Sequence, residues 1–169
     1  LKVLTEGNRA VGVETNKGTF MADVVVSSAD YHHSDTNLLE DKHRTYSDSY
    51  WEKRVVAPSM FIAYLGIGRE LKRLEHHNLY FAKDWNTHFD AIFKNPDWPK
   101  DPCFYLSCIS KTDPTSAPAG CENVFLLVPV APGLVDTEEQ RNAYFEHIAD
   151  HVQNVTGEDL RKDLLVKRL

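Results

Sequence analysis

Ser59-Met60-Phe61-Ile62-Ala63-Tyr64-Leu65-Gly66-Ile67 is the stretch whose reading decides the fold. It follows Pro58, is rich in apolar and aromatic residues, and reads as one long strand. Side chains alternate along a strand, so Met60, Ile62 and Tyr64 share one face while Phe61, Ala63 and Leu65 share the other. Both faces are apolar, so both need cover. One face is expected to pack on helices.

Outward from this strand, the C-terminal side alternates strands with proline-broken loops. Asn78–Phe81, Cys103–Ile109 and Asn123–Val130 read as strands, and Trp85–Phe93 as a helix. The segments 95–102 and 113–120 carry prolines that fix φ and remove donors, so neither is regular. Thr137-Glu138-Glu139-Gln140 has capping-box spacing. It opens a helix in which Tyr144, Ile148, Val152 and Val155 share a face, with Gly157 as terminator. A shorter helix is expected from about Glu158. The class is α+β, a largely antiparallel sheet flanked by helices.

On the N-terminal side the pattern is a β-meander: Val3–Thr5, Ala10–Thr15 and Thr19–Ala22, separated by Gly-containing turns. Asp23–Ser27 holds three consecutive valines and reads as a strand buried on both faces, as in a parallel sheet. Asp30 is a candidate N-cap for a helix closing near Leu39, and Ser47 for a second one running to about Val55. Composition shifts near Asp30, which suggests residues 1–30 and 31–169 as two domains.

Several functional classes are disfavoured by composition. Net charge is -6 and no basic stripe is present, which argues against nucleic acid as a partner. Three cysteines make no disulfide framework and fit a reducing compartment. No apolar run approaches the length of a membrane span. Both ends, Leu1-Lys2-Val3-Leu4 and Leu164–Leu169, read as cuts through structure.

Motifs for catalysis are incomplete. Gly66-Ile67-Gly68 follows a strand, but Leu71 stands where a dinucleotide fingerprint needs glycine, so a strand-ending turn is expected. His147 and His151 lie four apart on a helix, but no third ligand is evident and they read as exposed helix residues. The pairs His32-His33 and His76-His77 read as surface. Cys103 and Cys108 fall on opposite faces of a strand and read as buried small residues. No metal ligand set is assigned.

Three stretches carry a resemblance. Arg9–Asp30, with its Gly-Val-Glu and Ala-Asp-Val-Val-Val elements, is similar to the meander of FAD oxidoreductases with two dinucleotide domains, amine oxidases included. Ser59–Leu71 resembles the long sheet strand of the phytoene desaturase family of carotenoid enzymes. Ser110–Pro132, and above all Asp113–Gly120, resembles that family's most specific segment.

The resemblance implies a parent enzyme that binds FAD without a covalent link and desaturates a long apolar polyene by hydride transfer to flavin. The expected fold is a substrate-binding domain, 31–169, joined to the edge of a truncated FAD-binding domain, 1–30. Ser27, Ser28 and Ala29 would lie at the strand end nearest the flavin; an ordinary strand-to-helix turn is the alternative. The resemblance also implies that one face of the strand Ser59–Ile67 lines a polyene tunnel: Met60, Ile62 and Tyr64 are the candidate lining set, because a tyrosine offers a polar tip at a tunnel wall, and core packing of the same three residues is the competing reading. The glycine fingerprint is absent from this chain, so no FAD is expected on it and it is expected to be inactive alone. No catalytic residue is carried over. The parent is expected to be cytoplasmic and bound peripherally to a membrane surface, and this chain to self-associate through an exposed apolar sheet face. An amine-oxidase-like substrate domain and a non-enzymatic apolar-ligand module are the other readings.

Overall fold

The computed structural model describes residues 1–169, and its first three strands form the expected meander. Strands β1 (Lys2–Glu6), β2 (Arg9–Thr15) and β3 (Gly18–Met21) pair antiparallel in sequence order. Gly12 explains how closely β2 and β3 approach: a Cβ there would lie 2.3 Å from the Phe20 carbonyl oxygen. Beyond β3 the reading fails. Asp23–Ser27 forms no strand, and Val24 and Val26 are exposed at 74% and 87%. A strand exists only where a neighbour accepts its ladder, and no strand of this chain lies beside these valines.

Asp30 caps as expected, its Oδ1 accepting from the His33 amide at 2.9 Å. Helix α1 (Tyr31–His33) then widens into a π-helical turn, Ser34–Leu38. Within that turn Asp35 is fully buried. It accepts from the amides of Thr45 at 2.8 Å and Tyr46 at 3.3 Å, and from the Trp51 indole at 3.2 Å. Burial raises the carboxyl pKa, but these donors and Arg44 outweigh it and hold the group below the ordinary range. Helix α2 (Asp48–Trp51) is capped by Ser47 but stops short of Val55. Contacts divide the chain into Leu1–Val55 and Val56–Leu169, so residues 31–55 group with the meander, whereas composition had suggested a boundary near Asp30.

The second unit contains β4 (Ser59–Ile67), β5 (His77–Tyr80), α3 (Trp85–Phe93), β6 (Phe104–Ser107), β7 (Glu122–Val130), α4 (Glu138–Thr156) and β8 (Leu164–Arg168). The five strands form one antiparallel sheet in the order β5-β6-β7-β4-β8. The expected helix after Glu158 is absent. Gly157 ends α4 in the left-handed region, Leu160 is buried, and a turn at Asp163 returns the chain as β8. The β-forming residues Leu164, Leu165 and Val166 there find a free edge on β4, which outweighs a short helix with no packing face. The amide of Gly68 closes the junction on the Asp163 carbonyl at 2.8 Å.

One face of this sheet is the core. Phe61, Ala63, Leu65 and Ile67 of β4, with Leu126 and Val128 of β7, pack in the same buried cluster as Tyr144, Phe145, Ile148, Ala149 and Val152 of α4. Val155, expected on the same helical face, is exposed instead because α4 runs past the buried cluster at its end. Thr137 caps α4 by accepting from the Gln140 amide at 3.1 Å. The proline-rich segment 95–102 is tied to α4. Tyr144 donates to the Pro99 carbonyl at 3.0 Å, His147 Nε2 lies 2.7 Å from the Lys100 carbonyl, and His151 Nε2 lies 3.5 Å from Asp101. His147 and His151 are therefore half-buried anchors for an irregular loop, not free surface residues.

Phe145 is fully buried at the centre of this contact. Phe145→Ala should lower unfolding stability by about 3–5 kcal/mol, while Val155→Ser should stay within about 0.5 kcal/mol. Urea titration of both variants by circular dichroism checks this; similar losses would mean α4 is rotated from the orientation described.

Candidate functional site

The alternation of β4 sorts its side chains as a two-faced strand requires. Phe61, Ala63 and Leu65 are buried against α4, whereas Met60 and Tyr64 are 46% and 54% exposed and Ile62 is half-buried. Cross-strand register extends the open face. Met60, Ile62 and Tyr64 stand opposite Pro129, Leu127 and Phe125 of β7; Leu127 in turn stands opposite Tyr105 of β6, and Tyr105 opposite Leu79 of β5. Tyr64 packs on Phe125 at 5.5 Å between ring centroids, and Phe125 lies 6.3 Å from Tyr105. No helix of this unit's core covers these residues. The open face is therefore an apolar, aromatic wall, and all three candidate lining residues lie on it.

Two hollows meet at Tyr64. One, of about 830 Å³, is lined by Met60, Ile62, Tyr64, Trp98 and Leu134, with Arg141 and Arg168 among its polar members. The other, of about 520 Å³, is lined by Tyr64, Phe125, Ile109, Pro118 and Val166, so the Asp113–Gly120 loop forms one wall. That loop is internally braced. Asp113 accepts from the amide and hydroxyl of Thr115 at 2.9 and 2.6 Å, and Asn123 Nδ2 donates to the Ser116 carbonyl at 3.1 Å.

Beneath the loop lies a polar cluster that the sequence reading missed. Glu122 is 5% exposed, at the start of β7. Its carboxylate pairs with Lys111 Nζ at 2.6 Å and accepts from the Cys108 thiol at 3.3 Å, from the Ser110 hydroxyl, and weakly from the Leu71 amide at 3.5 Å. Burial pushes the carboxyl up, but Lys111, Ser110 and Cys108 together outweigh it and hold it below the ordinary range. Burial, with the neighbouring Glu122, pushes the Cys108 thiol up to about 11, so it is a donor rather than a thiolate. The only sequence signal was a lysine and a glutamate at the two ends of one loop, and nothing in that spacing says the loop folds back on itself.

The remaining motifs resolve as structure. Gly66 and Ile67 lie inside β4, where a Cβ on Gly66 would stand 3.3 Å from Val166, so no dinucleotide turn exists there. Strand β6 is shorter than expected and leaves both Cys103 and Cys108 just outside it. Cys103 Sγ accepts from the Ala82 amide at 3.4 Å. His76 and His77 stack at 4.0 Å and bond Thr112 and Tyr105, each at 2.6 Å. No group of three His, Cys, Asp or Glu side chains is placed to hold a metal ion.

Ser27, Ser28 and Ala29 are exposed in the irregular segment before α1, and Ser27 Oγ lies 2.7 Å from Ser34 Oγ. They do not compose a dinucleotide cradle: α1 spans three residues, and no glycine-rich turn aims amides toward them. No step of hydride transfer follows from these residues.

The fold is similar to part of a solved structure. An oxidoreductase from Methanosarcina mazei matches 99% of this chain and 35% of its own length with a TM-score of 0.53, at 15% sequence identity. Sequence comparison is more specific. A carotenoid 3,4-desaturase of Haloarcula japonica is 45% identical over 157 residues, 92% of this chain and 32% of that protein. A zeta-carotene-forming phytoene desaturase of Myxococcus xanthus is 36% identical over 130 residues, 76% of this chain and 25% of that protein. The chain belongs to the carotenoid and phytoene desaturase family, of whose members it spans about a third of the length or less. No family model matches it.

The Lys111–Glu122 pair should be visible in stability. Lys111→Met leaves a buried carboxylate without its cation and should cost roughly 2–3 kcal/mol at pH 7, a figure reduced for the partial exposure of Lys111. The Glu122 pKa is lowered on folding, so its contribution is complete above the unfolded value near 4.3 and fades as pH falls through the folded value. The deficit of Lys111→Met should accordingly shrink in acid as the carboxyl is neutralised. Urea unfolding from pH 7 to about pH 2.5, a range that passes the unfolded value and enters the depressed folded one, measures both; a pH-independent deficit over that range would mean the pair is not the cause.

Proposed function

We propose that this chain is the substrate-side part of a flavin-dependent desaturase and that its open sheet face holds a long apolar polyene. The observation that carries the reading is the division of β4, with Phe61, Ala63 and Leu65 under α4 and Met60, Ile62 and Tyr64 on the open wall. A polyene offers almost no hydrogen bonds, so its affinity comes from burying apolar surface at about 25 cal/mol per Å². The nine residues of β4 provide a wall about 26 Å long at roughly 3.3 Å per residue.

Family membership implies a flavin cofactor, which accepts hydride from the substrate when bound. In this reading FAD is held mainly by other parts of the parent enzyme, and Ser27, Ser28 and Ala29 contribute only a small-residue surface beside it. This chain's residues bind and align the polyene and keep water from it. The desaturase relatives favour this over an amine-oxidase-like domain or a stand-alone apolar-ligand module. No helix here is long and apolar enough to cross a membrane. A parent that takes a polyene from lipid would work at a membrane surface, and the open apolar wall of the isolated chain would favour self-association.

Ile62→Glu tests the wall. It should abolish binding of a detergent-dispersed polyene and weaken self-association while leaving the circular dichroism spectrum and urea midpoint nearly unchanged. Ala63→Glu, one residue along, should instead prevent folding, because it buries a charge under α4. Loss of folding in Ile62→Glu, or unimpaired polyene binding by it, would sink the reading.

A further inference from the structure

Helix α3 is held to the second unit by little. Its buried side chains are His88 and Ile92 alone, while Trp85, Phe89 and Phe93, spaced four apart, are each half-exposed. His88 is 2% exposed, and its Nδ1 is sealed from solvent without a hydrogen-bond partner. The buried carboxylates of this unit are all met by donors: Glu122 by Lys111, Ser110 and Cys108, and Glu158 by Arg69 at 2.7 Å and the Arg73 amide at 3.1 Å. His88 lines a hollow of about 260 Å³ whose walls are α3 and the segment 95–102. The charged groups at that hollow are already engaged. Asp90, on the same helix, pairs with Lys94 at 2.7 Å, and Asp97 Oδ1 accepts from the Trp98 amide at 2.8 Å. Asp101 accepts from the Tyr80 hydroxyl at 3.2 Å and the Lys83 amide at 3.3 Å, with His151 Nε2 of α4 at 3.5 Å. Lys100 adds a positive charge at the rim, and His147 of α4 bonds its carbonyl.

We propose that His88 is an acid-released latch, and that proton uptake by its imidazole frees helix α3 from the second unit. A neutral imidazole tolerates this dry position. An imidazolium carries a charge and a second N–H donor, and no carboxylate bonds it here. Burial holds the His88 pKa below its ordinary value, and the charge of Asp101 offsets this only in part. The folded chain therefore takes up this proton at a lower pH than an exposed histidine. What His88 contributes to the closed state is complete above the exposed value of about 6.5 and is lost as pH falls toward the folded one. Opening gives up little else, because Ile92 is the other buried side chain of the helix. The consequence reaches the larger hollow beside Tyr64. Trp98 lines both that hollow and the one at His88, and its ring packs on Tyr144 at 4.6 Å and Phe61 at 6.0 Å between centroids. The amides of Asn95 and Asp97 donate to the carbonyls of Asp90 and Ala91, which joins the end of α3 to the segment bearing Trp98. An open α3 loosens one wall of the candidate site, whatever ligand that site takes.

The test is hydrogen exchange of the full chain, read by mass spectrometry from about pH 7.5 to about pH 5 and corrected for the intrinsic rate at each pH. Protection of the α3 amides should fall below about pH 6.5, with a slope of up to about tenfold per pH unit, that of one proton, while the α4 amides around Phe145 stay protected. His88→Leu, which keeps a side chain in the same place and cannot titrate, should leave α3 protected across the range. His151→Gln should leave the fall in place. NMR titration of the His88 ring in the unsubstituted chain is the second measurement, and it decides alone should His88→Leu fail to fold. The ring should titrate below the value of an exposed histidine, and the α3 signals should change with it. Protection of α3 that is independent of pH, or that rises in acid as pairing of His88 with Asp101 would make it, overturns the inference. So does a fall that persists in His88→Leu, or a ring that titrates at or above the ordinary value.

Discussion

The packing of β4 between β7 and β8, with one face on α4, is the constraint on which the second unit depends. A strand has a side-chain period of two, so a slip of one residue would turn Phe61, Ala63 and Leu65 outward and bring Met60, Ile62 and Tyr64 under the helix. The register of β4 along the whole of β7 holds the alternation in place. Because the core claims one face completely, the other is left as a continuous apolar wall. The candidate site thus follows from the same alternation that builds the core.

Two polar arrangements shape the rim of that wall. Glu122, Lys111, Ser110 and Cys108 pin the loop between β6 and β7, and the loop in turn closes one hollow beside Tyr64. Tyr64, the other polar group at this rim, lines both hollows. The first arrangement satisfies its own donors and acceptors and is structural.

The smaller unit shows a comparable economy at its own scale. Asp35 alone ties the π-helical turn to residues 45 and 46 and to Trp51. It does so as a buried carboxylate, which is stable only because amides and an indole converge on it. Ser27–Ala29 lies before this turn and is exposed.

The sequence by itself determined the elements whose signal is local. The β4 and α3 spans, the meander, the caps at Asp30, Ser47 and Thr137, and the stop at Gly157 all depend on alternation, propensity or a side chain bonding its own backbone. The family was legible too, from the meander, the long strand and the loop at Asp113–Gly120. Only the tertiary structure decided the rest. Asp23–Ser27 has a strand's composition and no partner, while Leu164–Arg168 forms a strand because β4 presents a free edge. The Lys111–Glu122 pair exists because a loop folds back on itself, and Met60, Ile62 and Tyr64 face outward because α4 docks on the opposite side. In each case the deciding energy lies in a contact between residues far apart in sequence, which no local pattern encodes.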